Sequence, residues 1–193
     1  IDILRDKTFG QLDNIWYRGS IKTSRFIDIN VDKNKFINAL DSEYGRIYQY
    51  DELGNLLFIF GEKGSQLGSF INPVAIETIQ DNIIVLDSVT NSITVFEKTE
   101  FGSLVHEAIM LYNDGFYGEA LKPWNQVISI DSNYEIAYVG VGNALFFQQD
   151  YKDSLKYYEL GQNRTRHSLA FSEYRTEIIR ENFGLFVGLF ILL

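Results

Sequence analysis

Cysteine is absent from this 193-residue sequence, and only two histidines occur, His106 and His167. A disulfide framework, a thiolate metal site and a cysteine nucleophile are therefore excluded, and a site built from several histidines is disfavoured. Basic residues are also in the minority, with 17 against 26 acidic residues, and the net charge of −9 argues against a nucleic-acid partner. We predict no catalytic residue, no cofactor and no metal site.

Proline is scarce as well, with two residues, but hydrophobic residues make up 46% of the chain and aromatic residues 15%. This composition is sufficient for a buried core and unlike that of a disordered chain. The first residue is Ile1 rather than methionine, and residues 183–193 carry no polar side chain. Because of these features at its two ends, we expect the sequence to be a fragment of a longer protein.

The first half of the sequence repeats itself at an offset of 46 residues. Residues 40–42 and 86–88 both read Leu-Asp-Ser, and Ile47 corresponds to Ile93. Short β-branched and aromatic runs alternate with turn residues, which predicts several short strands in each copy. The aspartate of each Leu-Asp-Ser copy is expected to brace a turn by accepting backbone hydrogen bonds. Repeats of about 40 to 50 residues with this pattern are typical of β-propeller blades.

An Asp-x-Asn-x-Asp run at residues 28–32 has the opening spacing of a calcium-binding loop. Lys33 and Ala39 stand where that loop needs glycine and glutamate. The alternation of the polar residues with Ile29 and Val31 instead predicts a strand with one solvent-facing side.

The second half has a period of 34 residues and apolar residues at helical spacing. The segment around Tyr117 corresponds to the segment around Tyr151. Two helix–turn–helix units of this length, at about 101–134 and 135–168, have the period of tetratricopeptide repeats. Residues 98–103 should join the last strand to the first helix.

The first half resembles the NHL-repeat β-propeller family. The resemblance is carried by four motifs, Gly-x-Leu-x-x-x-Phe-Gly at 54–61, Gly-x-Phe-x-x-Pro-x-Ala-Ile at 68–76, Ile-x-Val-x-Asp at 83–87 and Asn-x-Ile-x-Val-Phe at 91–96. It implies a partial β-propeller of about two blades over residues 1–97. It also leaves open a propeller enzyme, lyase-like or hydrolase-like, whose active-site residues lie in missing upstream blades.

The second half resembles tetratricopeptide repeats over residues 104–168. Residues at family positions are Tyr138, Gly142, Leu145, Tyr151, Leu155 and Tyr158. The resemblance implies a short α-solenoid whose concave face binds peptides. The candidate partner-binding groove on that face comprises Val105, Ile109, Tyr112, Asn113, Val139, Asn143 and Phe146. Only Asn143 fits a clamp for a C-terminal carboxylate, so the expected groove is apolar, and packing within the chain is the alternative reading of these residues.

Residues 169–193 are predicted to form a C-terminal helix that runs into a truncated transmembrane segment. The apolar run 183–193 is too short to span about 30 Å of hydrocarbon, and a buried C-terminal helix is the alternative. Arg164, Arg166 and other arginines precede the run, which favours the cytoplasmic side for the repeats. The overall order of segments has a weaker likeness to bacterial membrane-anchored NHL and tetratricopeptide proteins with a Yip-type membrane domain, which favours export.

Together these patterns predict a mixed fold, all-β and then all-α. The expected function is a non-enzymatic, membrane-tethered scaffold that presents its repeats to a protein, peptide or glycan partner. Membrane association with extracytoplasmic repeats is the expected location, and the cytoplasmic face is the alternative. A soluble repeat scaffold without a membrane span is the remaining alternative function.

Overall fold

The computed structural model describes residues 9–10, 15–17 and 20–184 of the chain. The chain divides into two compact units, Ile1–Lys98 and Thr99–Leu193. The first unit contains the described strands and the second contains the described helices. Each unit has its own core.

Short strands build the first unit, as β-branched and aromatic runs between turns predict. They are β1 (Ile15–Tyr17), β2 (Ser20–Lys22), β3 (Phe26–Val31), β4 (Ile37–Asp41), β5 (Arg46–Tyr50), β6 (Leu56–Phe60), β7 (Glu62–Lys63), β8 (Ser69–Phe70), β9 (Pro73–Ile79), β10 (Asn82–Asp87) and β11 (Ser92–Phe96). Antiparallel pairing forms a four-stranded sheet in the order β3-β4-β5-β6 and a three-stranded sheet in the order β9-β10-β11. The strands β1 and β2 form a separate antiparallel pair, and β7 pairs with β8 in parallel.

The main core of this unit lies between the four-stranded and three-stranded sheets. Its buried members are Leu40, Ile47, Phe70, Ile76, Ile83 and Val85. The opposite face of the four-stranded sheet carries a second cluster of Ala39, Tyr48 and Tyr50, against which Phe9 and Phe26 pack. Both faces of the four-stranded sheet therefore carry buried side chains.

The predicted partial β-propeller is wrong. The described strands form open sheets, which are antiparallel except for the β7–β8 pair, and do not close into a ring. Closure requires about four to eight sheets around a common axis, and two stacked sheets leave open edges. The three-stranded sheet gains no fourth strand after Phe96, because Thr99 already caps the first helix by accepting a hydrogen bond from the backbone N–H of Gly102 at 3.1 Å.

Five helices form the described part of the second unit. They are α1 (Glu100–Asn113), α2 (Tyr117–Ile130), α3 (Glu135–Phe147), α4 (Tyr151–Leu160) and α5 (Arg164–Glu181). Each helix packs on the next along the chain. Small buried residues allow this close packing, and they are Ala108, Ala120, Ala137, Ala144, Ser154 and Ala170. Trp124 and Tyr158 are the largest buried side chains between them.

The predicted start of an apolar C-terminal helix is also wrong for the described residues. The helix α5 ends at Glu181 and carries charged residues along its length, including Arg175 and Glu177. Most of the predicted apolar segment, residues 185–193, lies outside the described residues.

Within the described part of the chain, no helix is both long enough and apolar enough to cross a membrane.

Candidate partner-binding site

Three residues of the predicted groove take part in helix packing. Val105 and Ile109 are buried on α1. Val139 of α3 is half-buried and lies so close to Gly161 that a Cβ atom at that glycine would stand 2.7 Å from Val139 Cγ2. These three side chains hold the helices together and offer a partner little surface.

Asn143 of the predicted groove has a partner inside the protein. Its Oδ1 atom accepts a hydrogen bond from the hydroxyl of Tyr158 at 2.9 Å. Burial raises the pKa of Tyr158, and the nearby charge of Arg166 opposes this rise in part. Asn143 therefore orients a buried tyrosine, and its accepting oxygen is already occupied.

Tyr112 and Phe146 of the predicted groove belong to a larger group of aromatic side chains. This five-ring cluster consists of Tyr112, Tyr117, Phe146, Phe147 and Tyr151. The rings of Tyr117 and Phe147 stack at 4.9 Å, and Tyr112 contacts both of them, with centroid distances of 5.3 and 5.8 Å. Phe146 contacts Phe147 and Tyr151 edge-to-face at 5.7 and 5.3 Å. Offset and edge-to-face geometries of this kind are favourable for aromatic pairs.

The five-ring cluster lies where the helical hairpins turn. Tyr112 is near the end of α1 and Tyr117 begins α2, while Phe147 ends α3 and Tyr151 begins α4. Gly115 permits the tight first turn, because its φ of 86° lies in the left-handed region that favours glycine. The turns thus bring rings together that are more than 30 residues apart along the chain.

Part of this aromatic surface is open to solvent. Phe147 is 46% exposed, and Phe116, in the adjacent turn, is 53% exposed. Asn113 of the predicted groove is also exposed beside Tyr112. Exposed aromatic side chains held in place by ring contacts are typical of binding surfaces.

A cationic side chain lies beside the five-ring cluster. Arg166, on the first turn of α5, is half-buried, and its charge acts on both Tyr112 and Tyr158. Burial raises the pKa of Tyr112, and the positive charge of Arg166 counteracts this effect in part. Within residues 20–184, no hydrogen bond or ion pair involves the Arg166 guanidinium group. The group can therefore accept a carboxylate from outside the chain.

The sequence prediction missed Tyr117, Phe147, Tyr151 and Arg166. Tyr117 and Tyr151 correspond at the 34-residue offset, so their recurrence was a readable signal. Arg166 carries no such signal, because the 34-residue repeat does not show which side chain of α5 lies near Tyr112.

The described residues contain no group of three or more histidine, aspartate or glutamate side chains arranged to hold a metal ion. His106 is buried on α1, and His167 is half-buried on α5. A comparison with protein-family models and with curated proteins finds no match to this chain.

Proposed function

We propose that this chain is a non-enzymatic interaction module and that its helical unit binds a segment of a partner protein. The observation that carries the proposal is the partly exposed five-ring cluster beside the guanidinium group of Arg166, which makes no hydrogen bond or ion pair with the described residues. The favoured ligand presents an aromatic or aliphatic side chain next to a carboxylate. The resemblance to tetratricopeptide repeats, which commonly bind peptides, supports a peptide ligand.

The physical gain from such a contact has two parts. An apolar side chain placed on Phe147 and Phe116 removes exposed ring surface from water, which is worth about 1.5–3 kcal/mol for a fully buried side chain. A carboxylate near Arg166 adds a charge-assisted hydrogen bond, worth roughly 1.5–3 kcal/mol where water is excluded. Because association itself costs several kcal/mol, we expect affinities for a single short segment in the micromolar range or weaker, on the order of 1 μM–1 mM.

Fluorescence anisotropy with short labelled peptides tests the proposal on the full chain. One peptide set carries tryptophan or leucine beside glutamate, and a matched set carries lysine in place of glutamate. We expect the glutamate set to bind more tightly. Phe147→Ser should weaken both sets by roughly tenfold, which corresponds to the loss of about 1.4 kcal/mol of apolar contact.

Arg166→Gln should remove the preference for glutamate and leave the apolar contribution in place. Phe171→Ser and Arg175→Gln are the matched controls, because both residues are exposed on α5 and neither takes part in the described ring cluster. Equal binding of both peptide sets by the unchanged chain, or binding that neither Phe147→Ser nor Arg166→Gln alters, would refute the proposed ligand.

Membrane attachment is a separate part of the proposed function. It rests on the sequence of residues 183–193, which contains eleven consecutive residues without a polar side chain. Such a run favours contact with lipid hydrocarbon over contact with water.

A further inference from the structure

A stripe of exposed residues along α5 carries arginine and apolar side chains but no acidic residue. Successive members are seven, four and three residues apart, and these spacings place side chains on one face of a helix. The members are Arg164, Phe171, Arg175 and Ile178, with Ile179 beside Ile178. Phe171, Ile178 and Ile179 are 52%, 37% and 46% exposed. These five residues are called the outer stripe of α5.

The acidic residues of α5 lie on another side of the helix. Glu173, Glu177 and Glu181 follow Ala170 by three, seven and eleven residues, so they share its side of the helix. Ala170 is 0% exposed, and Glu173 and Glu177 are half-buried. The charges of α5 are therefore segregated, with the arginines of the outer stripe on the exposed side.

The two guanidinium groups of the outer stripe are available to an external anion. Arg164 accepts a hydrogen bond from Ser168 Oγ at 2.9 Å, but through its backbone carbonyl. Within residues 20–184, no hydrogen bond or ion pair involves the side chain of Arg164 or Arg175. Guanidinium groups bind phosphate and carboxylate oxygens through several N–H donors. Phe171 lies between the two arginines along the stripe, so an anionic partner also meets an apolar ring.

The sequence after α5 favours a lipid surface as this partner. Phe183 is 63% exposed and begins the run of eleven residues without a polar side chain. Arg175 stands eight residues before Phe183, a separation of about 12 Å along a helix, so a bilayer that holds the run also lies near the stripe. A bilayer with anionic lipids supplies charged headgroups and hydrocarbon together, which match the arginines and the apolar side chains of the stripe.

We propose that the outer stripe of α5 lies on a bilayer surface that contains anionic lipids. Arg164 and Arg175 bind the anionic headgroups, and Phe171 inserts between them. This inference rests on the proposed membrane attachment through residues 183–193 and adds a preference for lipids of negative charge. The net charge of the chain is −9, so such a preference requires a local cationic surface and cannot come from the chain as a whole.

Vesicle co-sedimentation of the full chain measures this preference. Vesicles of phosphatidylcholine are compared with vesicles of equal parts phosphatidylcholine and phosphatidylserine. We expect roughly tenfold tighter binding to the mixed vesicles, because each arginine gains free energy near an anionic surface. Added salt should reduce the preference, since it screens exposed charges. Arg164→Gln combined with Arg175→Gln should remove most of the preference and leave binding to phosphatidylcholine unchanged.

The matched control removes two other cationic side chains from the same unit. Lys122→Gln combined with Lys152→Gln changes the net charge by the same amount, and both lysines are exposed, on α2 and α4. This variant should keep the preference for the mixed vesicles. Phe171→Ser should weaken binding to the mixed vesicles by roughly tenfold, because the inserted ring is lost. Circular dichroism shows whether each variant retains its helices.

The outcomes separate the outer stripe from the apolar run. Equal binding of the unchanged chain to both kinds of vesicle would overturn the inference and leave attachment through residues 183–193 in place. Binding to the mixed vesicles alone, abolished in the arginine variant, would support the stripe and refute attachment through the run. Equal loss of preference in the arginine and lysine variants would overturn the inference. Binding to soluble polyglutamate and to neither kind of vesicle would indicate an acidic protein partner and would overturn it as well.

Discussion

At the residue scale, two aspartates at corresponding places in the repeat hold the strand connections of the first unit. Asp87 Oδ2 accepts hydrogen bonds from the backbone N–H groups of Ile71 and Asn72 at 2.6 and 3.0 Å, and its Oδ1 accepts from Val89 and Thr90 at 2.9 and 3.1 Å. The predicted bracing of this turn is confirmed. The same carboxylate also ties the turn to the segment that precedes β9.

Asp41 makes the corresponding connection in the first copy of the repeat. Its Oδ1 atom accepts hydrogen bonds from the backbone N–H groups of Arg25 and Glu43, at 3.0 and 2.7 Å. Arg25 precedes β3, and Glu43 lies in the turn between β4 and β5. The recurrence of the Leu-Asp-Ser run therefore reflects a structural requirement, namely that each hairpin be anchored to the strand before it.

The ionisation of Asp87 should make the first unit sensitive to acid. Burial opposes the charged form of Asp87, but the four backbone N–H groups outweigh this effect and lower its pKa. A carboxyl group with a depressed folded-state pKa contributes stability above its unfolded pKa of about 3.9 and loses it as the pH falls through the folded value. We predict that Asp87→Asn lowers the free energy of unfolding by about 1–3 kcal/mol at neutral pH and removes this part of the acid dependence.

Urea denaturation between neutral and acidic pH measures this effect. Asp81→Asn is the comparison, because Asp81 is an exposed carboxylate whose pKa is lowered by a hydrogen bond from Lys33 and by the charge of Lys98. High salt should reduce the contribution of Asp81 to the acid dependence of the free energy of unfolding, since screening acts mainly on exposed charges. The contribution of Asp87 should remain. Equal loss of stability with falling pH in Asp87→Asn and in the unchanged chain would contradict the prediction.

At the scale of single elements, β3 exposes its apolar side and keeps its polar side half-buried. Ile29 and Val31 are each 58% exposed, whereas Asp28 and Asn30 are half-buried. Asp28 Oδ2 accepts a hydrogen bond from the backbone N–H of Ile76 at 2.8 Å, and Asn30 Oδ1 accepts one from Thr78 Oγ1 at 2.6 Å. The predicted strand with one solvent-facing side is confirmed, and the solvent-facing side is the one that carries Ile29 and Val31, because the polar side chains bond across the border with β9.

Removal of these polar contacts should loosen the border between β3 and β9. We predict that Asp28→Ala lowers the free energy of unfolding by about 1–3 kcal/mol, because the N–H group of Ile76 loses its acceptor in a partly buried place. Lys33→Ala is the control in the same region, since its exposed contact with Asp81 is worth roughly 0–1 kcal/mol. Urea denaturation compares the two variants, and equal midpoints for both would count against a structural role of Asp28.

The helices of the second unit depend on a close contact between α2 and α3. A Cβ atom at Gly140 would overlap the indole ring of Trp124, and this ring is buried. Alanine is a better helix former than glycine by about 1 kcal/mol, so propensity and packing act in opposite directions at this position. The ring is rigid and enclosed, so the packing effect should dominate.

A double-mutant cycle separates the two effects. We predict that Gly140→Ala costs about 1–3 kcal/mol in the unchanged chain and is neutral or stabilising when Trp124 is already alanine. Trp124→Ala by itself should cost about 3–5 kcal/mol. Gly118→Ala on α2 is the control, because the nearest atom to a Cβ there is Gln148 Nε2 at 3.4 Å, and helix propensity alone should then decide. A Gly140→Ala cost that is the same in both backgrounds would exclude the contact as its cause.

At the scale of the whole molecule, the chain combines a sheet-rich unit and a helical unit with a final apolar run. We predict that the full chain floats with phosphatidylcholine vesicles in a density gradient and that a chain ending at Asn182 does not. Each large apolar side chain transferred into the bilayer contributes about 1.5–3 kcal/mol. The control is a full-length chain with Phe186→Asp and Phe190→Asp, which keeps the length and interrupts the run. A full chain that remains with the unbound protein would contradict membrane attachment through residues 183–193.

Local patterns in the sequence were sufficient to predict the change from strands to helices and the bracing of the Leu-Asp-Ser turns. Period and turn chemistry act over a few residues, so their effect is visible in the chain itself. Tertiary structure alone decided that the sheets remain open, that β3 directs its polar side chains toward β9, and that Val105 and Ile109 are buried. It also decided that Phe147 joins Tyr112 beside Arg166. The physical reason is that the burial of a side chain depends on what packs against it, and those partners lie far away along the chain.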